Sequence, residues 1–235
     1  MQLGHGKCQQ RIQATVTGKT PHISVELASD KEETNKILGS LGLPVPRQHL
    51  VTSQTEAIKA AQRLGGPVVL KPYNGNHGRG ITINVRADDD IRAGFEAARE
   101  HSRSVIVETY LAGDDHRLLV VNGELIAATK RTPGHVVGDG KQTVAELIDI
   151  VNSDPRRGVG HEKVLTRLEL DAQANMMMER VGYSADSVPK GDETVYLRST
   201  ANLSTGGTAT DVTADVHPTL ASRAIEAAAS IWLHI

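Results

Sequence analysis

Val68-Val69-Leu70-Lys71-Pro72-Tyr73-Asn74-Gly75-Asn76-His77-Gly78-Arg79-Gly80-Ile81-Thr82-Ile83-Asn84-Val85 is the stretch on which the fold turns. It reads as a strand, a glycine-rich loop and a second strand, because both flanks are rich in β-branched residues and the middle holds Gly75, Gly78 and Gly80. Glycines let backbone N–H groups close on phosphate oxygens, and Lys71 adds a point charge where the first strand ends. A Walker-type loop opens a helix; here another strand follows. The pattern is that of a hairpin lid over a phosphate, and it points to ATP chemistry.

Working outward, residues 9–17 alternate as a strand does, and Gly18-Lys19-Thr20-Pro21 breaks them. Ser29 or Asp30 caps a helix to about Leu41, with Glu32 and Glu33 in its first turn. Leu43-Pro44-Val45-Pro46 is an extended linker. Ser53 and Glu56 form a capping box for a helix to Leu64, which Gly65-Gly66 closes.

Beyond the lid, residues 88–101 read as helix and 104–111 as strand. Residues 117–121 and 124–129 flank Asn122-Gly123, a strong two-residue hairpin signal. Helix is expected over 143–151, a mobile Gly- and Arg-rich segment over 155–163, and helix again over 165–181. A strand over 194–197 and a helix over 217–233 complete the chain. Paired strands with helices between them predict an α+β protein rather than a doubly wound sheet.

Composition narrows the partners. Apolar residues make up 39% of the 235, the net charge is −2 and aromatics are 3%, which disfavours nucleic acid and anionic membranes. Cys8 is the one cysteine, so no internal disulfide forms and a reducing cytoplasm is expected. No apolar signal region or membrane-length run is present. The ten histidines are scattered and suggest no metal site.

Several polar residues stand where solvation would be difficult. Lys71 ends an apolar strand and needs an anion, with Lys31 as a second clamp on the phosphates. His77 and Arg79 sit at the loop tip, in reach of a γ-phosphate. Glu108 ends a β-branched strand and needs donors, such as an adenine amino group; Asp115 could accept from ribose hydroxyls. Arg117, Lys130 and Arg131 place positive charge on one rim. Gly206-Gly207, flanked by hydroxyl residues after Arg198, reads as a backbone nest for an anion. Met176-Met177-Met178 reads as helix packing.

In order, Asp30-Lys31, Val-Val-Leu-Lys71-Pro, the Gly75–Gly80 loop, Glu108-x-Tyr-Leu-x-Gly-x-Asp115-x-Arg117 and Arg198…Asn202…Gly206-Gly207 resemble the ATP-grasp superfamily. Gln10-Arg11-Ile12-Gln13-Ala14-Thr15, Ala28-Ser29-Asp30-Lys31, Gly75-Asn76-His77-Gly78-Arg79-Gly80 and the run 201–209 closely resemble the central domain of the cyanophycin synthetases. The resemblance implies two α+β lobes under a glycine-rich lid at 66–86. Residues 1–30 would end a preceding region, 31–110 form the nucleotide lobe, and 111–235 an incomplete second lobe.

It also implies roles. Lys31 and Lys71 would hold the α- and β-phosphates, and Gly75, Gly78 and Gly80 would cover the transferring phosphate with His77 and Arg79 at the reacting end. Glu108 would read adenine and Asp115 ribose; Arg117 and Arg198 would steady the acyl phosphate, with Asn202, Ser204, Gly206 and Gly207 on the acceptor side. The substrates would be ATP, aspartate and a cyanophycin primer, in a cytoplasmic homo-oligomer. Magnesium ligands are expected beyond Ile235, since no residue here matches them and the chain stops inside the apolar run 227–235. The fragment alone is expected to be inactive. Pro21-His22 departs from the small hydroxyl residues of the pattern. Alternatives are the corresponding domain of a bifunctional glutathione synthetase, a dipeptide-polymerising variant, and an ATP-gated module without chemistry.

Overall fold

The structure is a computed structural model that describes residues 1–13, 16–74, 80–160 and 162–233. Where the sequence divides at residues 30 and 110, packing divides the chain by space instead. One compact unit comprises Met1–Gly113, Leu119–Ile126 and Val216–Ile235; the other comprises Asp114–Leu118 and Ala127–Asp215.

The first unit opens with a small antiparallel sheet of β1 (Gln2–Leu3), β2 (Gln10–Gln13) and β3 (Val16–Thr17), in that order. Helix α1 (His22–Ser29) follows where the sequence announces none, because its N-cap, Pro21, offers no side-chain acceptor. Asp30 ends α1 and starts α2 (Lys31–Ser40): its N–H donates to the Glu26 and Leu27 carbonyls, and its Oδ1 accepts from the amides of Glu32 (2.9 Å) and Glu33 (3.0 Å).

Next come β4 (Gln48–Val51), α3 (Gln54–Leu64), β5 (Val68–Pro72), β6 (Thr82–Val85), α4 (Asp88–Arg99) and β7 (Val105–Thr109). Ser53 caps α3 as expected, but the carboxylate of Glu56 accepts from the amide and hydroxyl of Thr52, so the reciprocal half of the box is displaced by one residue. The four strands form an antiparallel sheet in the order β4-β7-β5-β6.

Strand alternation then sorts the side chains. Val51, Val68, Leu70, Val105 and Val107 pack against Ala57, Ile58, Leu64, Ile91 and Phe95 from α3 and α4. Burying each such aliphatic side chain contributes about 1.5–3 kcal/mol. Val69, Lys71, Ile106 and Glu108 occupy the opposite parity and so face away from that core.

The hairpin expected over the opening stretch is present as β5 and β6. Its tip residues Gly75, His77, Gly78 and Arg79 lie outside the described residues. Gly80 is described: at φ +67°, a Cβ there would stand 2.5 Å from His101 Cδ2 and 2.9 Å from the Ala97 carbonyl oxygen. Its glycine character serves close packing on the end of α4.

Strand β8 (Asp115–Val121) turns through Asn122 (φ 50°) and Gly123 (φ 81°) into β9 (Glu124–Thr132). Two successive positive φ values are what a tight type I′ connection requires. The second unit continues with β10 (His135–Val137), α5 (Val144–Asn152), β11 (Arg157–Gly158), β12 (Leu165–Thr166), α6 (Ala172–Glu179), β13 (Thr194–Tyr196) and β14 (Thr208–Asp211). The last helix, α7 (Pro218–Ser230), belongs to the first unit.

Strands order as β14-β9-β8, β10 pairs with β13, and β11 runs parallel to β12. Helix α5 carries a full capping box between Thr143 and Glu146. Its Val144, Leu147 and Ile148 bury against Val136, Leu168, Met178, Val195 and Leu197.

Two sequence expectations are corrected here. The helix over 165–181 is instead β12, an extended passage and a short α6 capped by Asp171. The segment expected to be mobile carries β11, whose Arg157 is 7% exposed and donates to the carbonyls of Thr166 and Gly206; His161 lies outside the described residues.

Candidate nucleotide site

The open face of the β4-β7-β5-β6 sheet gathers the charged residues of the first unit. Lys71 on β5 and Glu108 on β7 are diagonal neighbours, since Lys71 pairs with Ile106 and Val69 with Glu108. The Lys71 ammonium donates to Glu108 Oε2 at 2.7 Å, and the two side chains are only 20% and 13% exposed. Glu108 therefore meets Lys71 as a donor, where the sequence offered an adenine amino group.

Lys31, the first residue of α2, lies near both. Desolvation and then repulsion from Lys71 press its pKa below the ordinary lysine value, while Glu108 opposes them. Two ammonium groups brought together around one carboxylate leave an excess of positive charge. That donor set fits a polyphosphate.

Asp30, immediately before Lys31, accepts from the Tyr73 hydroxyl at 3.1 Å through the oxygen its cap does not use. The Glu33 amide chiefly, and Tyr73 after burial has opposed it, hold the Asp30 carboxyl below its usual value; the same bond raises the Tyr73 phenol. Tyr73 is not marked in the sequence, because the contact joins residues 43 apart.

Beside α2, a cleft of about 280 Å³ is lined by Asn35, Gly39, Pro46, Gln48, Leu50 and Ile106. It falls below the roughly 300–1,000 Å³ of ligand pockets, so it does not by itself hold a nucleotide.

In the second unit, Asp115 and Arg117 are exposed at the start of β8, and Arg117 has no hydrogen bond or ion pair among the described residues. Lys130 instead pairs with Asp114 at 2.6 Å. Arg131 donates to Asn202 Oδ1 at 2.9 Å, and its buried Nε has no partner among the described residues.

Arg198, 6% exposed, donates to the Leu197 and Glu169 carbonyls and to Asp171 Oδ2 at 3.0 Å. It thereby ties the chain after β13 to the cap of α6.

The nest reading of Gly206-Gly207 is corrected. Both amides are engaged within the turn, Gly206 to the Leu203 carbonyl (3.2 Å) and Gly207 to that of Asn202 (3.0 Å). Each glycine is required by contact: a Cβ on Gly206 would meet Leu168 Cδ2 at 2.6 Å, and one on Gly207 the Thr132 carbonyl oxygen at 2.8 Å. Ser204 remains exposed on this turn. No group of three or more His, Cys, Asp or Glu side chains able to hold a metal ion is present among the described residues.

Residues 41–153 match the family described as prokaryotic glutathione synthetase, ATP-grasp domain. A cyanophycin synthetase from Nostoc sp. is 52% identical over 219 residues, 93% of this chain and 24% of that protein. The glutathione biosynthesis bifunctional protein of Listeria welshimeri is 36% identical, over 87% of this chain and 27% of its own length. A solved structure of a bifunctional glutathione synthetase from Pasteurella multocida aligns with 99% of this chain and 32% of its own, at TM-score 0.67 and 31% identity. The chain thus spans about a quarter of the length of the curated relatives it matches. Its fold is that of ATP-grasp domains, and over 93% of its length its sequence is similar to cyanophycin synthetase.

Proposed function

We propose that this chain is the nucleotide-binding part of an ATP-dependent ligase that lengthens cyanophycin in a cytoplasmic homo-oligomer. The observation that carries the reading is the Lys31, Lys71 and Glu108 group on the open face of the sheet. It stands beside a 52% identity to a cyanophycin synthetase, against 36% to the Listeria protein.

In the proposed reaction a carboxylate oxygen at the end of the polymer attacks the γ-phosphorus of ATP. The bond to the bridging oxygen breaks and ADP leaves, giving an acyl phosphate. The amine of aspartate attacks the acyl carbon; phosphate leaves, the amine loses a proton and an amide forms. The first step joins two anions, so positioning and positive charge are what the protein must supply.

Lys31 and Lys71 would receive the phosphates, with Glu108 orienting Lys71 and reading adenine. Asp115 would take the ribose. Arg117, exposed and uncommitted, would follow the phosphoryl group, a role for which Arg198, buried and bound to Asp171, is not free. Asn202 and Ser204 would face the acceptor. Magnesium, when bound, would offset phosphate charge; the described side chains include no cluster of three or more His, Cys, Asp or Glu for it.

The test replaces the matching segment of the Nostoc enzyme with this chain. ATP-dependent incorporation of aspartate into a primer is expected, with ADP and phosphate released in step. Lys71→Ala should lower it by about a hundredfold or more, the effect of losing an electrostatic clamp. A folded chimera that joins glycine to γ-glutamylcysteine instead would move the assignment to the glutathione branch.

A further inference from the structure

We propose that Asp30 and Tyr73 are a positioning pair that sets Lys31 beside Lys71 and Glu108, so that nucleotide affinity depends on a hydrogen bond made outside the nucleotide's own contacts. The inference rests on the nucleotide-site reading above.

The connectivity is the first argument. Lys31 is the residue after Asp30, and Tyr73 lies two residues beyond Lys71. One hydrogen bond of 3.1 Å therefore joins two backbone points that each carry a lysine. Neither end is loose. The remaining Asp30 oxygen is held by the Glu32 and Glu33 amides at the start of α2, and the Tyr73 amide donates to the Ser104 carbonyl at 3.0 Å, next to the strand that carries Glu108. The bond thus fixes the start of α2 to the end of β5 and the beginning of β7.

The second argument is that the arrangement needs holding. Lys31 and Lys71 repel each other, and the one carboxylate, Glu108, attracts both. Before an anion arrives, the pair of cations is pushed apart. The Asp30–Tyr73 bond opposes that without adding negative charge at the phosphate position. With the Asp30 carboxyl low and the Tyr73 phenol high, the bond is phenol to carboxylate through neutral pH, a charge-assisted and stronger kind. The charged groups acting on Asp30 and Tyr73 are Glu32 and Lys36 of α2; those acting on Lys31 are Lys71 and Glu108.

The third argument is access. A groove of about 420 Å³ between α1 and the end of β5, lined by Glu26, Ser29 and Asn74, opens directly on the pair. Water competes there, which keeps the bond in the range where a single substitution is readable and folding survives.

Two variants separate positioning from structure. Tyr73→Phe removes the donor. Asp30→Ser keeps a helix cap, since serine caps as well as aspartate, but loses the acceptor. Titrating ATP into the purified chain, each should weaken binding about fivefold to tenfold, the factor of one net hydrogen bond. The double variant should be no weaker than either single one. Melting temperatures of the two single variants should fall alike and by only a few degrees, the cost of one hydrogen bond. The Lys31 titration midpoint, followed by NMR of reductively ¹³C-methylated protein, should move up toward ordinary lysine as the cations separate. Unchanged affinity in Tyr73→Phe, or losses that add in the double variant, overturns the proposal. If the parent binds no ATP but the Lys31 midpoint still moves in Tyr73→Phe, the pair positions Lys31 and it is the nucleotide reading that fails.

Discussion

Lys71 and Glu108 are worth more as a pair than either is alone, because each is largely withdrawn from water. Lys71→Ala leaves a carboxylate in a site 13% exposed without the ammonium that donates to it, and urea denaturation should show a loss of about 1–3 kcal/mol. Glu108→Gln keeps an acceptor for Lys71 and should lose less stability. A larger loss in Glu108→Gln than in Lys71→Ala would show that the charge is not what the site holds. The sequence announced Lys71 through its place at the end of an apolar run, yet concealed its partner, 37 residues away, because only strand register brings them together. Asp154 makes a simpler case at the surface. The hydrogen bond from Arg156 lowers its carboxyl to about 2, below the ordinary 3.8. A depressed carboxyl favours the fold above its unfolded value, and that contribution disappears as pH falls through about 2. NMR titration of Asp154 should place its midpoint there, and Arg156→Ala should return it toward 3.8.

Helix ends show how far local sequence reaches. Asp30 and Ser53 each marked a true boundary, because capping chemistry is carried by adjacent residues; α4 starts at Asp88 without a side-chain cap, its acidic first turn being the signal. The same logic makes α5 a clean test: Thr143→Ala removes one half of its box and should cost about 1 kcal/mol in chemical denaturation. A loss close to zero would mean that core packing alone holds the helix. The run 165–181 misled for the opposite reason. Leu165, Leu168 and Ala172 fall at helical spacing, but residues 165–166 pair with Arg157-Gly158, and Leu168 is drawn into the second core. A strand two residues long leaves no periodic trace. Gly80 illustrates a different limit. It was read for phosphate, and its described surroundings call for glycine on steric grounds, so Gly80→Ala should destabilise the chain even without nucleotide. A melting temperature equal to the parent's would show that the end of α4 yields.

At the scale of the whole chain, ordered motifs were legible where their structural settings were not. The succession Lys31, Lys71, Glu108, Asp115, Arg117 resembles the ATP-grasp pattern, and Lys31, Lys71, Glu108 and Asp115 each lie at or next to the end of an element. The grouping of the chain into units was not legible, since α7 and the β8–β9 turn join the unit that begins at Met1, and packing is a matter of space rather than order. A ligand that binds only the folded state stabilises it by mass action. At ten times its dissociation constant, ATP should therefore raise stability by about 1.4 kcal/mol in the parent. Lys71→Ala should show no such rise at the same concentration. The alternation along β5 has one more consequence, for how such a chain can vary over time. Turns tolerate insertions of any length, but adding one residue between Val68 and Lys71 would send the ammonium into the aliphatic layer under α3 and α4 and turn a valine out in its place. Length changes within this strand keep its faces in steps of two, and an odd one needs a bulge, such as the register shift between β5 and β6 at Val68–Leu70. The sheet is thus a parity check on the segment that carries its most important cation, and an odd change there is tolerated only at the cost of a bulge.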